Sequence, residues 1–141
     1  MDYKRLLIKE YKYWEVYLNE NQCYLGKVYI WAKRKDVLDF FDMTKEEQEE
    51  YFKIGKELKK ALSNLFKPDL YNYATLANVS PHLHTHFIPR YKDKRELFGV
   101  TFTDERWGQN YAPYNKGFKI SEEILIKIKE AMKSELSKHK I

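Results

Sequence analysis

Three of the four histidines in this 141-residue chain, His82, His84 and His86, fall within five residues, in the segment PHLHTHFIPRY. If that segment is extended, side chains alternate faces, so the three imidazoles point the same way at roughly 7 Å intervals, about 13 Å end to end. Such a row admits three kinds of chemistry. The rings could line a half-buried sheet and satisfy themselves, although each buried imidazole left unpaired costs about 1 kcal/mol or more. Two histidines two apart on a strand could reach one Zn²⁺ at about 2 Å per bond. The outer pair cannot easily share that ion with the middle ring unless the strand bends, and Asp93 and Glu96 follow on no matching register. Finally, a neutral imidazole, with a free pKa near 6.5, attacks phosphorus or carbonyl centres without strong activation, provided an acceptor holds its other nitrogen. A flanking ring could then neutralise a phosphoryl oxygen or serve the leaving group. The last reading uses all three residues.

The elements that must position this row can be read from the flanks. Trp14 to Leu18 and Lys27 to Trp31 are β-branched and aromatic runs, predicted as two strands, with Gly26 opening the second. Thr44, with Glu47 three residues on, forms a capping box for a long helix whose stripe is Tyr51, Ile54, Leu58, Leu62 and Leu65, and Pro68 follows its end. Gly55 on that stripe suggests close contact with a neighbour. The segment LYNYATLAN reads as a strand that a short Val-Ser-Pro link turns back into HLHTHFIPRY, making antiparallel neighbours, with Pro89 at the end or edge of the second. From Lys92 to Lys119 the chain reads as an irregular loop region, in which Trp107 and Tyr111 could wall a pocket or lie over the sheet. Ser121 caps a second helix with Ile124, Leu125, Ile128, Met132 and Leu136 on one face and an Ile120–Leu125 staple. The basic end of that helix, His139 included, suits the helix dipole and needs no binding role.

With 26 basic and 21 acidic residues the net charge is +5, which favours anionic partners but selects none. No Lys/Arg stripe interleaves with aromatics, so no nucleic-acid partner is expected. The lone Cys23 cannot form an internal disulfide and reads as a small core residue, so a reduced, cytoplasmic setting is expected. No apolar run reaches signal-peptide or membrane-span length, and a soluble, single domain over residues 1–141 is expected.

HLHTHFI resembles the HxHxH motif, with two apolar residues after it, of the histidine triad (HIT) family of nucleotide hydrolases and transferases. LNENQCYLGKVYIWAKR resembles the family's segment in which an Asn or Asp lies seven residues before a strand-opening Gly, here Asn19 and Gly26. DFFDMTKEEQEE is similar to its loop into a long helix, and YNYATLANVSPHLHTHFIPRY to a prokaryotic branch with a short turn before the triad. The resemblance, over Trp14 to Tyr91, implies an α+β fold with an antiparallel sheet of about five strands, a long central helix, a C-terminal helix and a homodimer. It implies that His84 attacks the α-phosphate of an adenine or guanine nucleotide to form a covalent nucleotidyl-histidine. His86 would contact phosphate oxygens, His82 would fix the nucleophile's setting, Asn19 would contact ribose, and Asn78 would bind phosphate. Asn19 and Asn78 have the alternative of being ordinary turn formers, and Ser80, placed to donate to a phosphate, reads first as a turn residue. No metal ligand set and no tightly bound cofactor is implied, though Mg²⁺ can accompany the substrate phosphates. A dinucleoside polyphosphate is favoured over a phosphoramidate or an adenylylated conjugate. The alternatives are a non-catalytic nucleotide-binding module and a Zn-dependent hydrolase. Two departures stand out: Ala-Lys-Arg-Lys-Asp lacks the family's further histidine, and residues 92–119 are unlike the better-known branches.

Overall fold

A computed structural model describes residues 3–138 of the chain, so His139 lies outside the described residues. A short 3₁₀ turn leads into β1 (Leu7–Glu10), β2 (Trp14–Leu18) and β3 (Val28–Ala32). The long helix α1 (Lys45–Phe66) follows, then β4 (Leu70–Ala74), β5 (His84–Arg90), β6 (Arg95–Leu97), β7 (Val100–Phe102) and α2 (Glu122–Lys138). The five-stranded sheet has the order β1-β2-β3-β5-β4 and every pair in it is antiparallel; β6 and β7 form a separate hairpin. This is the α+β architecture expected, with β4 at one edge.

The two-residue period of the strands divides the sheet into a face for packing and a face for chemistry. Trp14, Val16 and Leu18 of β2, Val28, Ile30 and Ala32 of β3, and Phe87 of β5 belong to one buried cluster with Ile54, Leu58 and Leu62 of α1 and Ile128 and Met132 of α2. The intervening residues face away from both helices. Helix α1 begins as its sequence dictates. Thr44 accepts from the Glu47 N–H, and the Glu47 carboxylate accepts from the Thr44 N–H at 2.8 Å, which satisfies two of the helix's free donors. It ends at Lys67 in the left-handed conformation, φ 52°, just before Pro68. At α2 the Ser121 hydroxyl accepts from the Ile124 N–H.

Several expectations need correction. The N-terminal strand β1 is too short, at four residues, for its alternation to stand out in the sequence. β4 ends at Ala74, so nine residues rather than a tight turn link it to β5. The triad strand begins at His84, because His82 lies in a turn whose N–H donates to Ser80 O at 2.8 Å. Residues 95–102 are a hairpin inside the stretch read as irregular; its turn residues Phe98 and Gly99 both have positive φ, the geometry that matches strand twist. A Cβ placed on Gly55 would meet nothing within 4 Å, so that glycine marks no close contact. Gly26 is the glycine the fold requires: φ is +85°, and a Cβ there would lie 2.6 Å from Leu62 Cδ2 of α1. Among the described residues no helix is long and apolar enough to cross a membrane.

Candidate active site

On the face turned from the helices, cross-strand partners build the site in rows. Trp31 stands opposite His84, Tyr29 opposite His86, and Tyr17 opposite Tyr29. One row further along, the Asn19 N–H donates to Lys27 O at 3.0 Å, so Asn19 and Lys27 are neighbours there. The loop between them is braced from within: the fully buried Gln22 donates to Asn19 O and Lys27 O at 2.8 and 2.9 Å and accepts from the Gly26 N–H at 2.8 Å.

The three histidines are brought together, but they differ in what each nitrogen can do. His84 Nδ1 is 2.7 Å from the backbone oxygen of His82. A carbonyl only accepts, so Nδ1 carries the proton and Nε2 keeps its lone pair. His82 Nε2 donates in the same way to Ala32 O at 2.6 Å, and its ring stacks on Trp31 at 4.3 Å between centroids. His82 therefore orients the His84 ring through its carbonyl, while its own ring is held on strand β3 by Ala32 O and the Trp31 ring. The His86 ring meets the His84 ring edge-on at 5.0 Å, and its buried Nδ1 has no partner among the described residues. An unpaired lone pair costs less than an unpaired N–H, so the proton belongs on Nε2, the nitrogen left to serve the cavity. Burial, then the charge of Lys27 and then His84, push the His86 pKa down to about 4, so the ring is a neutral donor at neutral pH. On the opposite face Thr85 Oγ1 lies 2.7 Å from both Tyr51 OH and Thr75 Oγ1, tying the triad strand to α1 and to the loop before it.

His84 and His86, but not His82, line a cavity of about 760 Å³, the size of a small-molecule site. Asn19 lies on its wall; its Oδ1 accepts from the Asn21 N–H at 3.0 Å, so the turn role and the wall role coincide and its amide NH₂ remains to serve a ligand. Asn78 and Ser80 stand exposed on the rim. Tyr111, Tyr114 and Lys116 close the far side, whereas Trp107 is not among the lining residues and is 38% exposed. Among the described residues that line the cavity none is acidic, while Lys27 and Lys116 are basic. Nor do the described residues contain a group of three or more His, Cys, Asp or Glu side chains arranged to hold a metal ion.

The segment carrying Tyr111 and Tyr114 is held by a knot that sequence spacing gave no means to find. Arg90, at the end of β5, donates through Nε and Nη2 to both carboxylate oxygens of Asp104 at 2.8 and 3.1 Å. Its other donors reach Asn72 Oδ1 at 2.7 Å, Gln109 O at 2.9 Å and Arg106 O at 2.8 Å. All the N–H groups of the guanidinium are thereby used in a buried setting, and residues 104–109 are fixed to the sheet. Lys27 of the cavity wall does leave a signal in the sequence, its alternation with Tyr29 and Trp31 behind Gly26.

Fold and site together define an α+β protein whose strand-borne imidazole has a free lone pair facing a basic, acid-free cavity. The chain belongs to the HIT family: the HIT domain model matches residues 5–93. A bis(5'-adenosyl)-triphosphatase of Saccharomyces cerevisiae is 35% identical over 86 residues, covering 57% of this chain and 42% of that protein. The chain thus spans well under half the length of that relative. Among solved structures, a histidine triad protein from Bradyrhizobium japonicum superposes with a TM-score of 0.78 at 18% identity, covering 92% of this chain and 89% of the other. One from Marinobacter aquaeolei also gives 0.78, at 20% identity, covering 98% and 96%. At those identities the two structures speak for the fold.

Proposed function

We propose that this protein is a nucleotide hydrolase or nucleotidyltransferase, acting on a dinucleoside polyphosphate or a related nucleotide conjugate through His84. The observation that carries the reading is the hydrogen bond from His84 Nδ1 to His82 O, which leaves the Nε2 lone pair for the cavity. In the first step that lone pair forms an N–P bond to the α-phosphate. The bond from phosphorus to the bridging atom breaks, and its electron pair leaves with the remainder of the substrate. The imidazole becomes cationic, and the His82 carbonyl stabilises the Nδ1–H as that charge develops. Water then attacks phosphorus and loses a proton to solvent, the N–P electrons return to Nε2, and the nucleoside monophosphate departs. His86 donates Nε2–H to a phosphate oxygen throughout. Asn19 meets the ribose, Asn78 a phosphate oxygen at the rim.

The name of the yeast relative supports a dinucleoside polyphosphate as the substrate class. The cavity's lining is basic and holds no carboxylate that would repel a phosphate. Its donor set would leave any Mg²⁺ bound to the substrate phosphates rather than to the protein. A homodimer in a reducing, cytoplasmic setting completes the reading. Brief mixing with a substrate labelled in its α-phosphate, quenched without acid, is expected to trap label on His84. His84→Ala should lower kcat by ~10⁴-fold or more. Turnover within tenfold of wild type in that variant would remove His84 from the nucleophile's role.

A further inference from the structure

The steps above give Lys27 no task, yet its setting is costly for a bystander. The residue is 2% exposed, and no carboxylate among the described residues lies within ion-pair distance of its ammonium. Its Nζ lies 4.3 Å from the Tyr114 ring centroid and 5.6 Å from that of Tyr111, contacts that offset only part of the lost hydration. Burial draws its pKa down, and its charge in turn helps hold His86 neutral. Two groups that favour an anion thus lie side by side in a cavity without acid.

Position separates the demand of Lys27 from that of the attacked phosphate. Along the sheet the rows run Trp31 with His84, then Tyr29 with His86, then Lys27 beside Asn19. Rows on one face are roughly 7 Å apart, so Lys27 is rooted about 13 Å from the row of the nucleophile. A phosphate at His84 Nε2 has His86 as its neighbour, and Lys27 stands one row beyond.

We propose that Lys27 receives a second phosphate of the substrate, distinct from the one His84 attacks, and so makes multiply phosphorylated nucleotides the preferred ligands. The inference rests on the hydrolase reading above. A second phosphate can come from the polyphosphate chain or from a phosphorylated ribose, and the two sources are separable. Wild type, Lys27→Met and Lys27→Arg are compared in kcat/KM on diadenosine triphosphate and on adenosine 5'-phosphoramidate, whose leaving group carries no phosphate. Their equilibrium binding of adenosine 3',5'-bisphosphate and of AMP is measured in parallel, with thermal melts to verify that each variant folds. Lys27→Met is expected to lose roughly 10- to 100-fold, the worth of one charge-assisted hydrogen bond, on the multiply phosphorylated ligand alone, and Lys27→Arg to retain most of it. A selective loss on diadenosine triphosphate assigns the chain; one on the bisphosphate assigns the ribose. Losses as large on phosphoramidate and AMP, or no loss on any ligand, overturn the proposal. If wild type turns over neither substrate, the hydrolase reading fails, and equilibrium binding of diadenosine triphosphate, measured beside that of the bisphosphate and AMP, decides the role of Lys27.

Discussion

His84 and His86 sit two residues apart on one strand, yet the fold gives their rings different settings. A backbone carbonyl fixes the tautomer of His84, whereas the buried Nδ1 of His86 has no partner among the described residues and the ring is held neutral. The depressed pKa of His86 has a consequence for stability. In the unfolded chain the ring takes up a proton as pH falls through about 6.5, while in the native state it waits until about 4. Between those values the unfolded state binds more protons, so native stability declines as pH falls, by at most about 1 kcal/mol per pH unit given the ring's partial exposure. The stabilising contribution is fully present above pH 6.5. Thermal melts at pH 7 and pH 5 should therefore show a larger drop in Tm for wild type than for His86→Gln. Equal drops would assign the acid sensitivity to other groups.

At the scale of elements, the cavity depends on a long-range clamp more than on the triad strand itself. Asp104 neutralises Arg90 and accepts from the Tyr91 N–H at 3.1 Å, so one carboxylate anchors the segment that brings Tyr111 and Tyr114 to the site. Removing that charge leaves a guanidinium buried without its counter-ion. Asp104→Asn is expected to cost ~3 kcal/mol or more in urea denaturation. With the aromatic wall loosened, KM for nucleotide should rise more than kcat falls. A loss below about 1 kcal/mol with unchanged KM would mean that the loop holds its place without the clamp. The helix ends, by contrast, were legible residue by residue. The Thr44–Glu47 box and the Ser121 cap are local, because the groups that satisfy a helix terminus lie within a turn of it.

For the whole molecule, the edge strand β4 and the first half of α1 present an apolar surface: Phe52 is 61% exposed and Tyr73 56%. An unpaired strand edge beside exposed aromatics is a site of association. Sedimentation of the intact chain is expected to give twice the 17.2 kDa chain mass. Tyr73→Lys should shift that equilibrium toward the monomer. A wild-type monomer at micromolar concentration would refute the homodimer.

Sequence by itself determined what depends on neighbours along the chain: the two long helices with their caps, strands β2, β3 and β5, and the identity of the histidine row. Alternation and capping are short-range, so they leave a local record. The three-residue strands of the β6–β7 hairpin left none, and neither did the start of β5 at His84, which a turn between Ser80 and His82 fixes. Only the tertiary structure decided which nitrogen of His84 is free, why His86 is neutral, and that Lys27 lies in the cavity wall. It alone showed that Arg90 and Asp104, 14 residues apart, pair and so pin the segment that leads to Tyr111 and Tyr114. Those outcomes turn on carbonyls, rings and charges contributed by distant strands, and on burial, a quantity that exists only once the sheet has assembled.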